Sequence, residues 1–335
     1  MTRTFPIARL RHLAMFSSKL APTARLEGDL LHRTRGRVGA ARRSDPVSDG
    51  RVPMLDADLP RADRPTVGEA PCSRTPDITA VSGAHRDPPR LQAAPDRPLI
   101  IRWGKHFRGL FDWMMKSSSL ISNDAVLDVR DFAWTALLRE NWQAIRDEAI
   151  AVALQPHAAP SLADVSPDHR AIAPVNMWRS FFLWGYGYPA DDNIARCPQT
   201  AALVAQIPGL NSAFFSILAP GTHIPAHRGV TKALITCHLG LIVPTDGDVR
   251  MRVGDRVVRW AEGETLVFDD TYDHEVWNDT DHTRVVLLIQ FRRPLRSPGR
   301  WIADTFLHVV RKSAFVQEAR DNVLSWNAAI KQLDV

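Results

Sequence analysis

The fold is decided by the stretch from Asn211 to Pro294. It contains FFSILAPGTHIPAHRGVTKALITCHLGLIVP (214–244) and, further on, WAEGETLVFDDTYDHEVWNDTDHTRVVLLIQF (260–291). From Ala233 to Val243 the even positions are Leu234, Thr236, His238, Gly240 and Ile242, and the odd ones are Ile235, Cys237, Leu239, Leu241 and Val243. That pattern predicts a strand buried on both sides, with its polar groups kept to one face. From Thr283 to Arg292 the arrangement recurs: Arg284, Val286, Leu288 and Gln290 share a face, and Val285, Leu287, Ile289 and Phe291 form the other. A guanidinium inside so apolar a strand needs an anionic partner. DVRMRV and RVVRW flank a Val253-Gly254-Asp255 turn, and ETLVF runs into the acidic turn Phe268-Asp269-Asp270. Many short strands separated by Gly, Pro and Asp turns predict a mainly β fold, an antiparallel double sheet of jelly-roll type.

Two histidines stand at turns of this stretch. His227 follows a Pro-Gly-Thr-His-Ile-Pro turn, and His274 follows the Phe-Asp-Asp turn 47 residues later. Imidazole is the commonest ligand of first-row metals, and metal sites that activate oxygen keep open coordination positions. The usual non-haem iron triad reads His-x-Asp or His-x-Glu, whereas here His227-Arg228-Gly229 puts glycine in the carboxylate position. On the residues alone two readings stay open: a two-histidine metal centre, or histidines hydrogen-bonded inside a barrel mouth. His223 shares strand parity with His227 but precedes Pro225 in a turn, which assigns it a structural hydrogen bond.

PGTHIPAHRG, CHLGLIVP, W-x-x-G-x-x-x-x-FDD, HEVWN and an arginine ten positions after the second histidine together resemble the aspartyl/asparaginyl β-hydroxylase family. The resemblance extends over roughly 120 residues, Met177 to Pro294. It implies a double-stranded β-helix, the cupin-like jelly roll of iron(II)- and 2-oxoglutarate-dependent dioxygenases, and a family that binds iron through two histidines and no carboxylate. Carried over position by position, it makes His227 and His274 the metal ligands. It makes Arg284 the partner of the distal carboxylate of 2-oxoglutarate, with Ser216 and His238 as further co-substrate contacts. The catalytic set is then His227, His274 and Arg284, acting with Fe(II), 2-oxoglutarate and O2. One position departs from the family pattern. Members often carry an arginine nine residues after the first histidine, and Thr236 stands there. A threonine hydroxyl donates one hydrogen bond and supplies no charge; either His238 and Arg284 suffice, or Arg250 or Arg252 reaches in.

The chain has 335 residues and a net charge of +5. Residues 1–97 hold 16 Arg and 1 Lys against 11 Asp and Glu, so the rest of the chain is close to neutral and no nucleic-acid surface is expected there. That segment lacks sustained periodicity and reads as a disordered Arg/Pro-rich tail. Its acid-free start resembles a transit peptide or an extension from an upstream start codon. Residues 98–160 read as a helical extension, with an amphipathic basic helix at 98–116 and a second helix at about 131–154. Residues 161–296 are expected to form the β-helix domain, entered through the aromatic strand 176–187 and a short helix after Cys197-Pro198. Residues 297–335 read as helices packed on it. Cys72, Cys197 and Cys237 show no paired framework, and Cys237 reads as core because its parity opposes that of His238.

No stretch reaches the roughly 18 uninterrupted apolar residues of a membrane span. The expected location is cytoplasmic, with peripheral membrane contact through the amphipathic helices as a further expectation. The expected activity is hydroxylation of a C–H bond, either in a peptide Asp/Asn side chain or in a lipid A-type acyl chain. Two other classes remain open: a cupin-like metal enzyme that does not use 2-oxoglutarate, and a catalytically silent barrel that binds a peptide or an acyl chain. At Gly229 the expectation is an open position completed by water, into which an introduced aspartate could reach.

Overall fold

The computed structural model describes residues 99–333, apart from 154, 156, 167, 168, 170, 171 and 173–175. The tail expected at 1–97 and Cys72 within it lie outside the described residues. The described part opens with α1 (Leu99–Ser118), β1 (Val126–Leu127), α2 (Thr135–Glu140), α3 (Trp142–Ala153) and α4 (Leu162–Val165). It continues with β2 (Trp178–Gly185), β3 (Tyr188–Pro189), α5 (Asp191–Arg196) and α6 (Pro198–Val204). Eight strands follow: β4 (Leu210–Leu218), β5 (Thr222–His227), β6 (Leu234–Ile242), β7 (Asp248–Val253), β8 (Arg256–Arg259), β9 (Thr265–Phe268), β10 (His274–Asp279) and β11 (Arg284–Arg292). Two helices close the described part, α7 (Gly299–Arg311) and α8 (Ala314–Leu333).

The strands form a seven-stranded sheet in the order β1-β9-β6-β11-β4-β2-β3 and a four-stranded sheet in the order β5-β10-β7-β8. Their ladders are antiparallel, as a double-stranded β-helix requires. Period-2 alternation decides what each face of the large sheet meets. Cys237, Leu239, Val285, Leu287, Ile289, Phe215 and Ile217 are buried under the N-terminal helices, where they share a core with Leu138, Ile145 and Val152. Residues of opposite parity, among them Trp178, Leu218 and Val286, pack against Ile224, Met251, Val253 and Val276 of the small sheet. Cys237 is therefore core, and burial raises its thiol pKa.

The expected helix at 131–154 is interrupted. Asn141 ends α2, its amide donating to Leu137 O (2.8 Å) and its N–H to Leu138 O. Segment 98–160 also contributes a strand, since β1 pairs with β9. α1 packs on α7 through Met115, Leu295, Ala303 and Leu307, with Phe111 and Phe306 at 5.0 Å between ring centroids. The final helix runs beyond Trp326 to Leu333. Phe306 and Val310 of α7 and Phe315 and Val316 of α8 line the same cavity as Trp178, Phe214 and Ile224 of the two sheets.

Candidate active site

The register of the small sheet sets His227 of β5 directly opposite His274 of β10, and their rings lie 4.1 Å apart between centroids, tilted by 53°. Each ring is held by its own strand: His227 Nδ1 donates to Pro225 O (2.8 Å) and His274 Nδ1 to Tyr272 O (3.0 Å). With the proton fixed on Nδ1, the Nε2 lone pair of each neutral ring is left free, as a metal-binding imidazole requires. Burial, reinforced by His274, holds the His227 pKa down to about 4. Burial lowers that of His274 as well. Among the described residues no group of three or more His, Cys, Asp or Glu side chains is placed to hold a metal ion. The donor set on offer is these two nitrogens.

The even-numbered face of the large sheet supplies the other expected residues. Arg284 is 2 % exposed. Its Nε and Nη1 have no hydrogen-bond partner among the described residues, and its guanidinium lies 4.8 Å from the centroid of Trp260. Burial alone pulls its pKa down to about 9. His238 Nδ1 accepts from Trp260 Nε1 (3.2 Å), so the neutral ring carries its proton on Nε2, which is buried and unpartnered. Ser216 Oγ accepts from Trp178 Nε1 (3.0 Å), which leaves its own hydrogen free to donate. A buried cation and two donors with no protein acceptor fit a carboxylate-bearing co-substrate. Ser216, His227, His238, His274 and Arg284 all line one cavity of about 650 Å³.

Several local expectations change. Arg250 pairs with Asp248 (2.9 Å) and Asp279 (2.6 Å), and Arg252 with Asp273 (3.2 Å) and Glu275 (3.0 Å), so neither reaches into the cavity in place of the arginine absent at 236. Thr236 instead donates to Asp270 Oδ2 (3.1 Å), as does Gln290 Nε2 (3.2 Å). Nor is there open space at Gly229. A Cβ there would lie 2.1 Å from Asp270 Oδ1, so an aspartate at 229 cannot reach toward the histidines as envisaged. Glycine at 229 makes room for the Asp270 carboxylate, whose pKa burial and then neighbouring Asp269 raise to about 6. His223 is structural as expected: Nε2 meets Glu275 Oε1 at 2.8 Å and the ring stacks on Trp277.

Two cavity residues have no counterpart in the sequence reading. Asp270 is the last residue of the Phe-Asp-Asp turn, and the paired acids were the available signal: Asp269 is the structural one. Its carboxylate accepts from both Lys232 Nζ and Arg293 Nη2, while Arg293 Nε donates to Lys232 O (2.9 Å), which ties the turn to the ends of β6 and β11. His169 also lines the cavity. Its ring stands edge-on to Trp178 and its Nδ1 lies 2.8 Å from Ser166 Oγ. Burial first, then His227 and His274, lower its pKa to about 4. It lies outside the periodic strands, so nothing in the pattern marked it.

A family model described as Aspartyl/Asparaginyl beta-hydroxylase matches residues 139–294. The chain is 42 % identical over 238 residues to an ornithine lipid ester-linked acyl 2-hydroxylase of Rhizobium tropici, a match covering 70 % of this chain and 84 % of that protein. It is 31 % identical over 166 residues to the human aspartyl/asparaginyl beta-hydroxylase, covering 48 % of this chain but 21 % of the human protein. Among solved structures, a Pseudomonas putida prolyl-4-hydroxylase matches at a TM-score of 0.28 and 18 % identity, over 48 % of this chain and 98 % of that one. Both named sequence relatives are hydroxylases, and the match to the first covers most of that enzyme. The chain belongs to the aspartyl/asparaginyl β-hydroxylase family.

Proposed function

We propose that this hydroxylase is an iron(II)- and 2-oxoglutarate-dependent dioxygenase that inserts oxygen into a C–H bond of a lipid acyl chain. His227 and His274 hold the metal through Nε2. Arg284 takes the distal carboxylate of 2-oxoglutarate, and His238 and Ser216 donate to the co-substrate. When bound, the iron supplies oxygen activation coupled to oxidative decarboxylation of 2-oxoglutarate. The chain's own residues fix the imidazole tautomers and seat the co-substrate. Asp270, held by Thr236 and Gln290, puts a carboxylate in the wall of the same cavity without occupying the chain position of a triad ligand.

The observation that carries an acyl chain rather than a peptide is the wall of the cavity. Beyond the histidines it is lined by Phe182, Phe214, Phe306, Phe315, Val316 and Leu324, and Phe182 and Phe214 stack at 4.4 Å. This apolar part of the wall suits methylene groups, while polar groups such as Asn211, Arg311 and Arg320 also line the cavity. The relative that shares most of its length with this chain is named for an acyl substrate, which supports the same reading. Leu110 and Trp113 on α1 and Trp301 on α7 are 57 %, 63 % and 67 % exposed, large apolar groups of the kind that suit a membrane interface. We place the enzyme at a membrane surface in a reducing compartment; among the described residues no helix is long and apolar enough to cross a membrane.

The test is a competition. The protein is incubated with iron(II), ascorbate and 2-oxoglutarate together with an ester-linked acyl lipid and an Asp/Asn-containing peptide, and both are read by mass spectrometry. A gain of one oxygen on the lipid is expected. Oxygenation of the peptide alone would overturn the substrate reading.

A further inference from the structure

The rim of the cavity carries a charge arrangement that the iron chemistry leaves unused. β2 and β3 are joined by a two-residue hairpin in which Tyr186 and Gly187 have φ of 51° and 80°, the left-handed geometry of a type I′ turn. The turn is fixed from below, Tyr186 N–H donating to Ser212 Oγ (3.1 Å), and from above, the Tyr186 ring meeting Phe315 of α8 edge-on. Just after it, Tyr188 receives two guanidiniums on its ring: Arg311 from the end of α7 at 4.1 Å and Arg320 from α8 at 4.9 Å. Gly187 holds the left-handed backbone of the turn, and the Arg311 guanidinium lies in ordinary contact range over it. Gln317 Nε2 bonds both Tyr188 Oη (3.3 Å) and Arg311 O (3.0 Å).

Among the described residues neither guanidinium forms an ion pair with a carboxylate; each is held against the Tyr188 ring. Two guanidiniums gathered at one aromatic ring concentrate positive charge at the cavity rim, which favours an anion beside them. The Tyr188 hydroxyl is held below its usual pKa, first by its hydrogen bond with Gln317 and then by Arg311 and Arg320. Arg311, Arg320 and Tyr188 all line the cavity that holds His227 and His274.

We propose that Arg311, Arg320 and Tyr188 form a clamp for the anionic headgroup, a carboxylate or a phosphate, of the amphiphile whose chain enters the cavity. Guanidinium forks suit both oxyanions. The inference rests on the acyl-substrate reading, but its test needs no turnover.

The full chain, free of iron and 2-oxoglutarate, is titrated calorimetrically with three probes below their micelle concentrations: N-dodecanoylglycine, dodecyl phosphate and the uncharged N-dodecanoylglycinamide. The unsubstituted protein should bind at least one of the two anionic probes about tenfold or more tighter than the amide, in line with charge-assisted hydrogen bonds, and the anion preferred identifies the headgroup chemistry. The Arg311→Gln/Arg320→Gln protein should bind all three alike, with Arg284 still present. Arg311→Lys/Arg320→Lys keeps the charge and should retain part of the preference, which guards against a folding defect in the glutamine protein. Equal binding of the three probes by the unsubstituted protein, no binding of any, or a preference that survives the double glutamine substitution would overturn the clamp. Because no metal is present, each of these results leaves the iron reading standing, and a failure of the iron reading leaves the clamp standing.

Discussion

Replacing Arg284 by methionine should make the protein free of co-substrate more stable while destroying its response to 2-oxoglutarate. The guanidinium is 2 % exposed with two nitrogens unpartnered, and burial pulls its pKa down to about 9. A folded-state pKa below the unfolded one means that the charge opposes folding: the penalty is fully present below about pH 9 and fades as pH rises beyond it. A drop of this size corresponds to an upper bound on the order of 5 kcal/mol. Replacements of buried ions by apolar side chains realise about 1–4 kcal/mol. At about 2–4 °C per kcal/mol for a domain of this size, the melting temperature of Arg284→Met should rise by several degrees at pH 7. In the unsubstituted protein loaded with Mn(II), 2-oxoglutarate at about 100 times its Kd should add about 2.7 kcal/mol; in Arg284→Met that increment should vanish. Scanning calorimetry of both proteins with and without the co-substrate reads all four values. A variant that melts well below the parent and still gains stability from 2-oxoglutarate would refute the reasoning, because Arg284 would then be satisfied by the protein itself.

His227→Ala and His274→Ala should each abolish tight metal binding in an anaerobic titration, whereas His223→Ala, which removes the contact to Glu275 and the stack on Trp277, should bind as the parent does. Gly229→Ala should displace the Asp270 carboxylate, given the 2.1 Å approach, and lower the melting temperature; adding Asp270→Ala should restore much of the loss by removing the clash. Asp269→Asn should cost roughly 3–5 kcal/mol in denaturant unfolding, because it leaves Lys232 and Arg293 buried without their shared anion.

The strands were legible because their faces differ so sharply. The alternation in 233–243 separates Cys237 from His238, and the structure puts the first in the helix-covered core and the second in the cavity. A charge in an otherwise apolar strand marked Arg284, and the turns before His227 and His274 marked the imidazoles. Less legible was what depends on pairing between distant segments. Gly229 reads as an absent ligand until β5 and the 268–274 turn come together, and only then is it the seat of Asp270. Arg250 and Arg252 look available in the sequence, but on the strand they meet acids on neighbouring strands and turns. The break at Asn141 falls within continuous apolar periodicity, where a side chain bonded to its own helix decides the end.

The central claim is tested most directly by oxygen bookkeeping. The enzyme is loaded with iron(II) and given 2-oxoglutarate, an ester-linked acyl lipid and isotopically labelled O2, and both the lipid and the succinate are analysed by mass spectrometry. The account predicts one labelled oxygen on the acyl chain for each labelled succinate formed, and neither product with His227→Ala. An oxygenated lipid without succinate, or succinate formed at the same rate by His227→Ala, would contradict it.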